Sequence, residues 1–262
     1  EALEELHLPP HLRRMGASCF HGCRALEEVA IPGSLRVLPE RAFRNCTDLE
    51  KVVLHKPETV SLLKIQYRMH EDIMRFPSRW FYHDELEAAP EVKYRGILDF
   101  DTPVSWIDTS ELDLQEKAVA EGTGRLNTGE AELLVRELKN YMERIGIRRI
   151  LEEHIDFGVI SPYRAQVHYL RHLLKKEPFF RPCRRLITVH TVDGFQGQER
   201  DVIMISLVRA NEKGQIGFLR DLRRMNVAIT RARMKLLILG EAVTLTRHPF
   251  YRELYEYIGG LR

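Results

Sequence analysis

Two short polar clusters carry residue types suited to phosphoryl chemistry. The first, Asp193-Gly-Phe-Gln-Gly-Gln-Glu199, is a glycine-punctuated turn bearing carboxylates and amides. Such a turn lets the backbone approach a phosphate closely, and an acid just after it suits a ribose hydroxyl. The second, Asn226-Val-Ala-Ile-Thr-Arg-Ala-Arg233, reads as a helical segment bearing arginines. An arginine held on a packed helix supplies fixed positive charge to a transferring phosphoryl group. Either cluster alone reads as a solvated loop or a basic helix face. Both together, in this order, are hard to read that way.

The elements around the clusters must position them. The apolar runs Val202–Val208 and Leu236–Leu239 predict strands of a parallel sheet buried on both faces. In open α/β sheets ligands gather beyond the carboxyl ends of the strands, which is where the clusters are expected. Arg220, Arg223, Arg224, Arg231 and Arg233 form the richest basic group. Arg224 and Arg231 lie seven apart, so on a helix they would share a face opposite Met225, Ile229 and Ala232. Asn127 followed by Glu130 predicts a helix start, and Leu134, Leu138, Tyr141, Met142 and Ile145 give that helix one apolar face. Phe157–Ile160 predicts a short buried strand leading into Ser161-Pro-Tyr-Arg-Ala-Gln166. There Ser161 suits an N-cap and Pro162 the first turn, presenting free N–H groups to a phosphate backbone. Leu98, Phe100, Val104, Trp106 and Ile107 predict strand segments broken at Pro103. Ser110–Gly124 reads as an exposed loop, Lys175–Arg185 as a solvated connection, and the tail as an amphipathic helix ending at Gly259-Gly260.

As a set, the motifs resemble the second RecA-like domain of superfamily 1 helicases of the up-frameshift, senataxin and immunoglobulin-mu-binding type. VDGFQGQERD is similar to that family's motif V and NVAITRAR to its motif VI. Gln66-Tyr-Arg-Met-His70 resembles motif IV, FPSRWFY continues the pattern, and SPYRAQ is similar to the strand-contacting (T/S)PYxxQ. The resemblance implies an α/β fold, a RecA-like parallel sheet flanked by helices. It implies that Arg231 is an arginine finger and that Arg68 contacts a terminal phosphate. It places Gln66, Tyr67, Gly197 and Glu199 at the nucleotide, with Glu199 on the ribose. Ser161, Pro162, Tyr163, Arg164, His190 and Thr191 would touch the backbone of single-stranded RNA or DNA. The cofactors implied are ATP and Mg2+. The partner implied is a first RecA-like domain, because no GxxxxGK[ST] loop or acidic magnesium box occurs in these 262 residues. Weak or no ATP hydrolysis by this chain alone is therefore expected. On residue types alone, Tyr67 and Arg68 read better as an interface aromatic and a surface arginine; together with the motif V and VI resemblances, a base-stacking aromatic and a phosphate ligand become the better reading.

The first 55 residues have a different organisation, a repeat of period 23. Leu3, Leu26 and Leu49 correspond, as do Leu6, Val29 and Val52, then Leu8, Ile31 and Leu54; Phe20 matches Phe43 and Cys23 matches Cys46. The pattern is similar to bacterial surface-type leucine-rich repeats, each unit adding one short strand to a stacked core and offering a surface for a protein partner. The expected division is repeats over 1–55, a junction at 56–61 and the RecA-like domain over 62–262. The chain starts at Glu1 without an initiator methionine and reads as part of something longer. Three readings of the whole remain open: half of a helicase motor, a non-catalytic binding module, or two mis-joined pieces.

Composition adds little. Apolar content of 44% and charged content of 30% are those of a globular protein, and a net charge of +2 is too small to argue for nucleic acid by itself. No apolar run is long enough for a membrane span. Cys19, Cys23, Cys46 and Cys183 form no CxxC pair and read as reduced, small buried residues of a cytoplasmic protein.

Overall fold

The computed structural model describes residues 5–54 except Arg36 and Glu40, then 64–119 and 124–261. The chain divides into two compact units, Glu1–Leu63 and Lys64–Arg262. The expected junction at 56–61 lies outside the described residues, as does Leu3 of the repeat pattern.

In the first unit, β1 (Glu5–His7), β2 (Glu28–Ile31) and β3 (Lys51–Leu54) form a parallel sheet. Its register pairs Glu5 with Glu28 and Glu28 with Lys51, so each strand meets the residue one repeat away. Leu26 and Val29 are fully buried, and Phe20 stacks on Phe43 at 5.5 Å. The four cysteines are free, but the expectation that all are buried is corrected: Cys19 is exposed, Cys23 and Cys46 are half-buried, and only Cys183 is buried. The first three lie outside the strands, Cys19 in a turn and Cys23 and Cys46 between turns, where side chains are at most partly covered.

The second unit opens with β4 (Ile65–Gln66), helix α1 (Glu71–Phe81), β5 (Glu87–Ala88), paired in parallel with β4, and a short α2 (Pro90–Lys93). β6 (Val104–Asp108) follows, and then β7 (Lys117–Ala118) and β8 (Arg125–Leu126), an antiparallel ladder within and just after the stretch expected to be loop. Next come α3 (Thr128–Ile145), α4 (Ile147–Glu152), β9 (Phe157–Ser161), α5 (Arg164–Lys176) and β10 (Ile187–Thr191). The chain closes with β11 (Arg200–Ser206), α6 (Leu222–Ile229), β12 (Ala232–Gly240), α7 (Ala242–Leu245) and α8 (Pro249–Gly260). The main sheet is parallel throughout, in the order β10-β9-β11-β12-β6.

Alternation along each strand feeds two cores. Ile203 and Ile205 of β11 face one side with Trp106, Ile238, Phe76 and Leu254, from α1 and α8 among others. Val202 and Met204 face the other with Val159, Leu134, Leu138 and Leu170, from α3 and α5. A parallel sheet covered on both faces needs this near-continuous apolar sequence in its strands. Among the described residues no helix is long and apolar enough to cross a membrane.

Several local expectations are corrected. Ser161 is not an N-cap. It stays in the ladder opposite Thr191, and α5 begins after Tyr163 with no side-chain cap bond. Leu98 and Phe100 form no strand, since Phe100 turns the chain at φ +60 and is fully exposed. The connection after α5 is not merely solvated, because Phe180 and Cys183 are buried in the core. β11 stops at Ser206, two residues early, and Val208 adopts φ +72, a left-handed conformation costly for a β-branched residue. Finally, α6 ends at Ile229, so Arg224 and Arg231 do not share a helix face. Thr230 turns its hydroxyl back onto the Asn226 carbonyl at 2.7 Å, and the Arg200 N–H takes the Arg231 carbonyl at 2.9 Å, drawing Arg231 into the ladder.

Candidate functional site

Glu199 immediately precedes β11 and Arg231 immediately precedes β12. The nucleotide-type cluster thus lies at the amino ends of these strands, which corrects the expectation of carboxyl ends. The turn leading into α1 docks there too: the His70 N–H donates to the Arg233 carbonyl at 2.8 Å. Gln66 is consumed in shaping that turn. Its Oε1 accepts from the Arg68 and Met69 N–H groups at 2.9 and 2.7 Å, and its amide donates to the Met69 carbonyl. Arg68 is thereby aimed at Glu199, with which it forms an ion pair, and it donates to the Thr230 carbonyl at 3.1 Å. Tyr67 points outward, 68% exposed.

The carboxylates here are shared among arginines. Arg233 donates to Glu199 at 3.0 Å and to Asp201 at 3.1 Å, while Arg200 reaches Asp156 at 3.7 Å. Burial works against the Glu199 charge, yet hydrogen bonds from Arg68 and Arg233 prevail and hold its carboxyl below the ordinary value. Arg231 is different. Its guanidinium donates only to neutral oxygens, the Val227 carbonyl at 3.0 Å, the Gln198 carbonyl at 3.2 Å and the Thr230 hydroxyl at 3.2 Å. No carboxylate among the described residues pairs with it. Burial, and then the nearby Arg68 cation, push its pKa down. A half-buried cation beside a second cation is stabilised by any anion that arrives. Beside it, Gly197 lies exposed at φ +80 with open space where a side chain would be.

The strand-type residues gather at the opposite, carboxyl ends of β9 and β10, where Ser161 and Thr191 are register partners. Pro162, His190 and Thr191 are partly exposed and Arg164 is exposed. Ser161 and Tyr163 are buried, at 0% and 2% exposure. Gln166 of the same motif is also fully buried: it donates to the Asn127 carbonyl and to the Ser206 hydroxyl, tying the starts of α3 and α5 to the end of β11. Asn127 caps α3 as expected, accepting from the Glu130 N–H at 3.0 Å. The Glu130 carboxylate does not return the bond. It turns inward, accepts from the Ser206 hydroxyl at 2.5 Å and the Val208 N–H at 2.9 Å, and desolvation pushes its pKa up to about 7. No spacing in the sequence marks this buried acid. Its position three residues after an N-cap pointed elsewhere.

The loop 192–199 joins the two ends by crossing one face of the sheet. Phe195 is its anchor, fully buried. A Cβ on Gly158 of β9 would come within 2.9 Å of the Phe195 ring, and a Cβ on Gly194 within 1.6 Å of His190 Nδ1. These two glycines clear the path for the loop. The aromatic stretch after motif IV is structural: Phe76 and Trp80 each meet Phe250 at 5.2 Å, and Tyr82 accepts from Asn226 at 2.9 Å. Among the described residues no group of three or more His, Cys, Asp or Glu side chains could hold a metal ion.

A parallel sheet flanked by helices, with arginines gathered at its amino edge, defines a RecA-like α/β domain of the helicase class. The chain belongs to the AAA domain family, whose model matches residues 44–243, and its relatives are ATP-dependent superfamily 1 helicases of the Sen1 and UPF1 type. Residues 1–73 match the family model described as the BspA type leucine rich repeat region. The chain is 38% identical to probable helicase MAGATAMA 3 of Arabidopsis thaliana, over 75% of this chain and 24% of that one. It is 38% identical to DNA polymerase alpha-associated DNA helicase A of Saccharomyces cerevisiae, over 74% and 29%, and 38% identical to helicase sen1 of Schizosaccharomyces pombe, over 75% and 12%. The chain spans less than a third of the length of each of these relatives.

Proposed function

We propose that the α/β unit, following a junction at 56–61, is the second RecA-like domain of a superfamily 1 helicase motor, working with a first RecA-like domain that carries the phosphate loop. The observation that carries this reading is Arg231, a fixed guanidinium without a carboxylate partner among the described residues. As an arginine finger it stabilises charge on the transferring phosphoryl group of ATP. Arg68, next to it, meets the terminal phosphate by exchanging part of its ion pair with Glu199. Glu199 keeps lone pairs for a ribose hydroxyl, the exposed Gly197 backbone lies open to the nucleotide, and Tyr67 offers a free face to the base. Gln66 serves by holding that turn. Mg2+ comes with the phosphates and is held by the partner domain.

The single strand, RNA or DNA, runs over the carboxyl ends of β9 and β10, against Pro162, Arg164, His190 and Thr191. Ser161 and Tyr163 form the floor beneath it. Hydroxyl and guanidinium contacts to phosphate give affinity without base preference. Two measurements on the purified chain test the reading. Binding to a fluorescent single-stranded oligonucleotide should fall steeply with salt and be weakened by Thr191→Ala and Arg164→Ala. ATP turnover by the chain alone should be absent or weak. No binding at low salt by folded protein would remove the strand role, and strand-stimulated turnover lost in Arg231→Ala would show that the chain needs no partner domain.

A further inference from the structure

Beside the strand-facing end of β9, a cavity of about 370 Å³ is lined by Arg125, Tyr163, Arg209, Gly217, Phe218 and Arg220. We propose that it is a subsite for one nucleotide unit of the bound single strand, with the base stacked on Phe218 and the adjoining phosphate held by Arg220 and Arg125. This rests on the strand-binding reading above and adds a place for a base of the strand, which none of the strand contacts described so far supplies.

The cavity is built rather than incidental. Arg209, 4% exposed, is pinned by Glu116 through its Nε at 2.6 Å, and its Nη1 reaches the Tyr163 hydroxyl at 3.4 Å. Gly217, at φ +54, lies so close that a Cβ there would come 2.2 Å from Arg209 Nη1 and 2.9 Å from the Tyr163 hydroxyl. Backbone therefore forms one wall directly. Phe218 leans on Tyr163 with ring centroids 5.6 Å apart, yet remains 45% exposed. An aromatic ring held from behind, with its outer face in water, is a stacking platform for a base.

The charge balance favours an anion beside it. Arg209 and Arg125 share the single carboxylate of Glu116, at 2.6 and 3.4 Å, and the exposed Arg220 brings a third guanidinium. Three cations against one carboxylate leave a net positive cavity, the combination of aromatic and arginine by which proteins hold single strands. Tyr163 and Arg164 are adjacent in sequence, so the cavity continues the track that runs from Thr191 and Arg164.

The test measures binding of the full chain to oligouridylate, oligothymidylate and a fully abasic strand of equal length, over a salt series. Phe218→Ala should weaken both base-bearing strands by ~5-fold or more and leave the abasic strand unchanged, and Phe218→Trp should restore affinity. Arg220→Gln should reduce the salt slope by ~0.7 on all three strands. Both positions are exposed, so the variants should melt as the parent does. If these variants bind all strands like the parent while Thr191→Ala weakens binding, the subsite is wrong and the strand-binding reading survives. If the parent binds no strand, both fall. If free adenosine monophosphate binds in a Phe218-dependent way while strand binding ignores Phe218, the cavity serves a mononucleotide and the strand assignment is overturned.

Discussion

Among the described residues, a cation at the amino end of the central sheet forms no ion pair, and neither does an acid at the carboxyl end. Arg231 donates to three neutral oxygens and keeps part of its surface in water. Glu130 accepts two hydrogen bonds and keeps no surface in water, and its Oε2 has no partner among the described residues. The two respond differently for a physical reason. A guanidinium holds its proton through any ordinary burial, so its charge persists. A carboxyl can relieve the same problem by taking a proton, and desolvation moves Glu130 to a pKa of about 7. Unpaired charge therefore persists at one end and is relieved by protonation, as pH falls below about 7, at the other.

The contrast breaks most sharply at Arg231. With a first RecA-like domain of a superfamily 1 helicase supplied, Arg231→Ala should lower strand-stimulated ATP turnover by ~10³-fold or more in a steady-state assay. Unfolding of the chain alone should change far less. At the other end, Glu130 holds in the folded state a proton that the unfolded chain releases, so its contribution is fully present below about pH 4.5 and lost as pH rises through about 7. That slope should amount to roughly 3 kcal/mol in urea unfolding followed across pH, and Glu130→Gln should flatten it. The smallest effect is expected at Glu199, whose carboxylate is partly exposed and screened. Glu199→Gln should cost about 1 kcal/mol or less in the same unfolding measurement near pH 7. Because the folded pKa of Glu199 is depressed, the contribution it removes is present above about pH 4.5 and lost at more acid pH.

The apolar runs announced the parallel sheet, the period of 23 announced the register of the repeats, and spacing alone predicted the buried face of α3. Periodicity is local, and so are these features. What escaped the sequence depends on partners distant in the chain. Arg233 was one basic residue among five, until its contacts with Glu199 and Asp201 separated it from Arg231. Arg231 itself was expected on a helix face, because nothing in NVAITRAR announces that Arg200 takes the Arg231 carbonyl and ends the helix early. Ser161 had the residue type and the following proline of a helix start, but its ladder pairing with Thr191 prevailed. Glu130 was legible as a helix-start residue and illegible as a buried acid, since Ser206 and Val208 lie far along the chain.

The loop 192–199 has a consequence for length. By strand register, Thr191 and Arg200 are separated by ~20 Å along the sheet and by two strand spacings across it, a path of ~22 Å. The nine Cα steps between them extend to at most ~31 Å, and the hydrogen-bonded turns at Val192–Phe195, Asp193–Gln196 and Phe195–Gln198 shorten that reach. Little slack remains, and Phe195 is moored midway. One inserted residue would add ~3.5 Å of play between Thr191 and Glu199. The eight intervening residues act as a short cord, pinned at Phe195, between the carboxyl end of β10 and the amino end of β11.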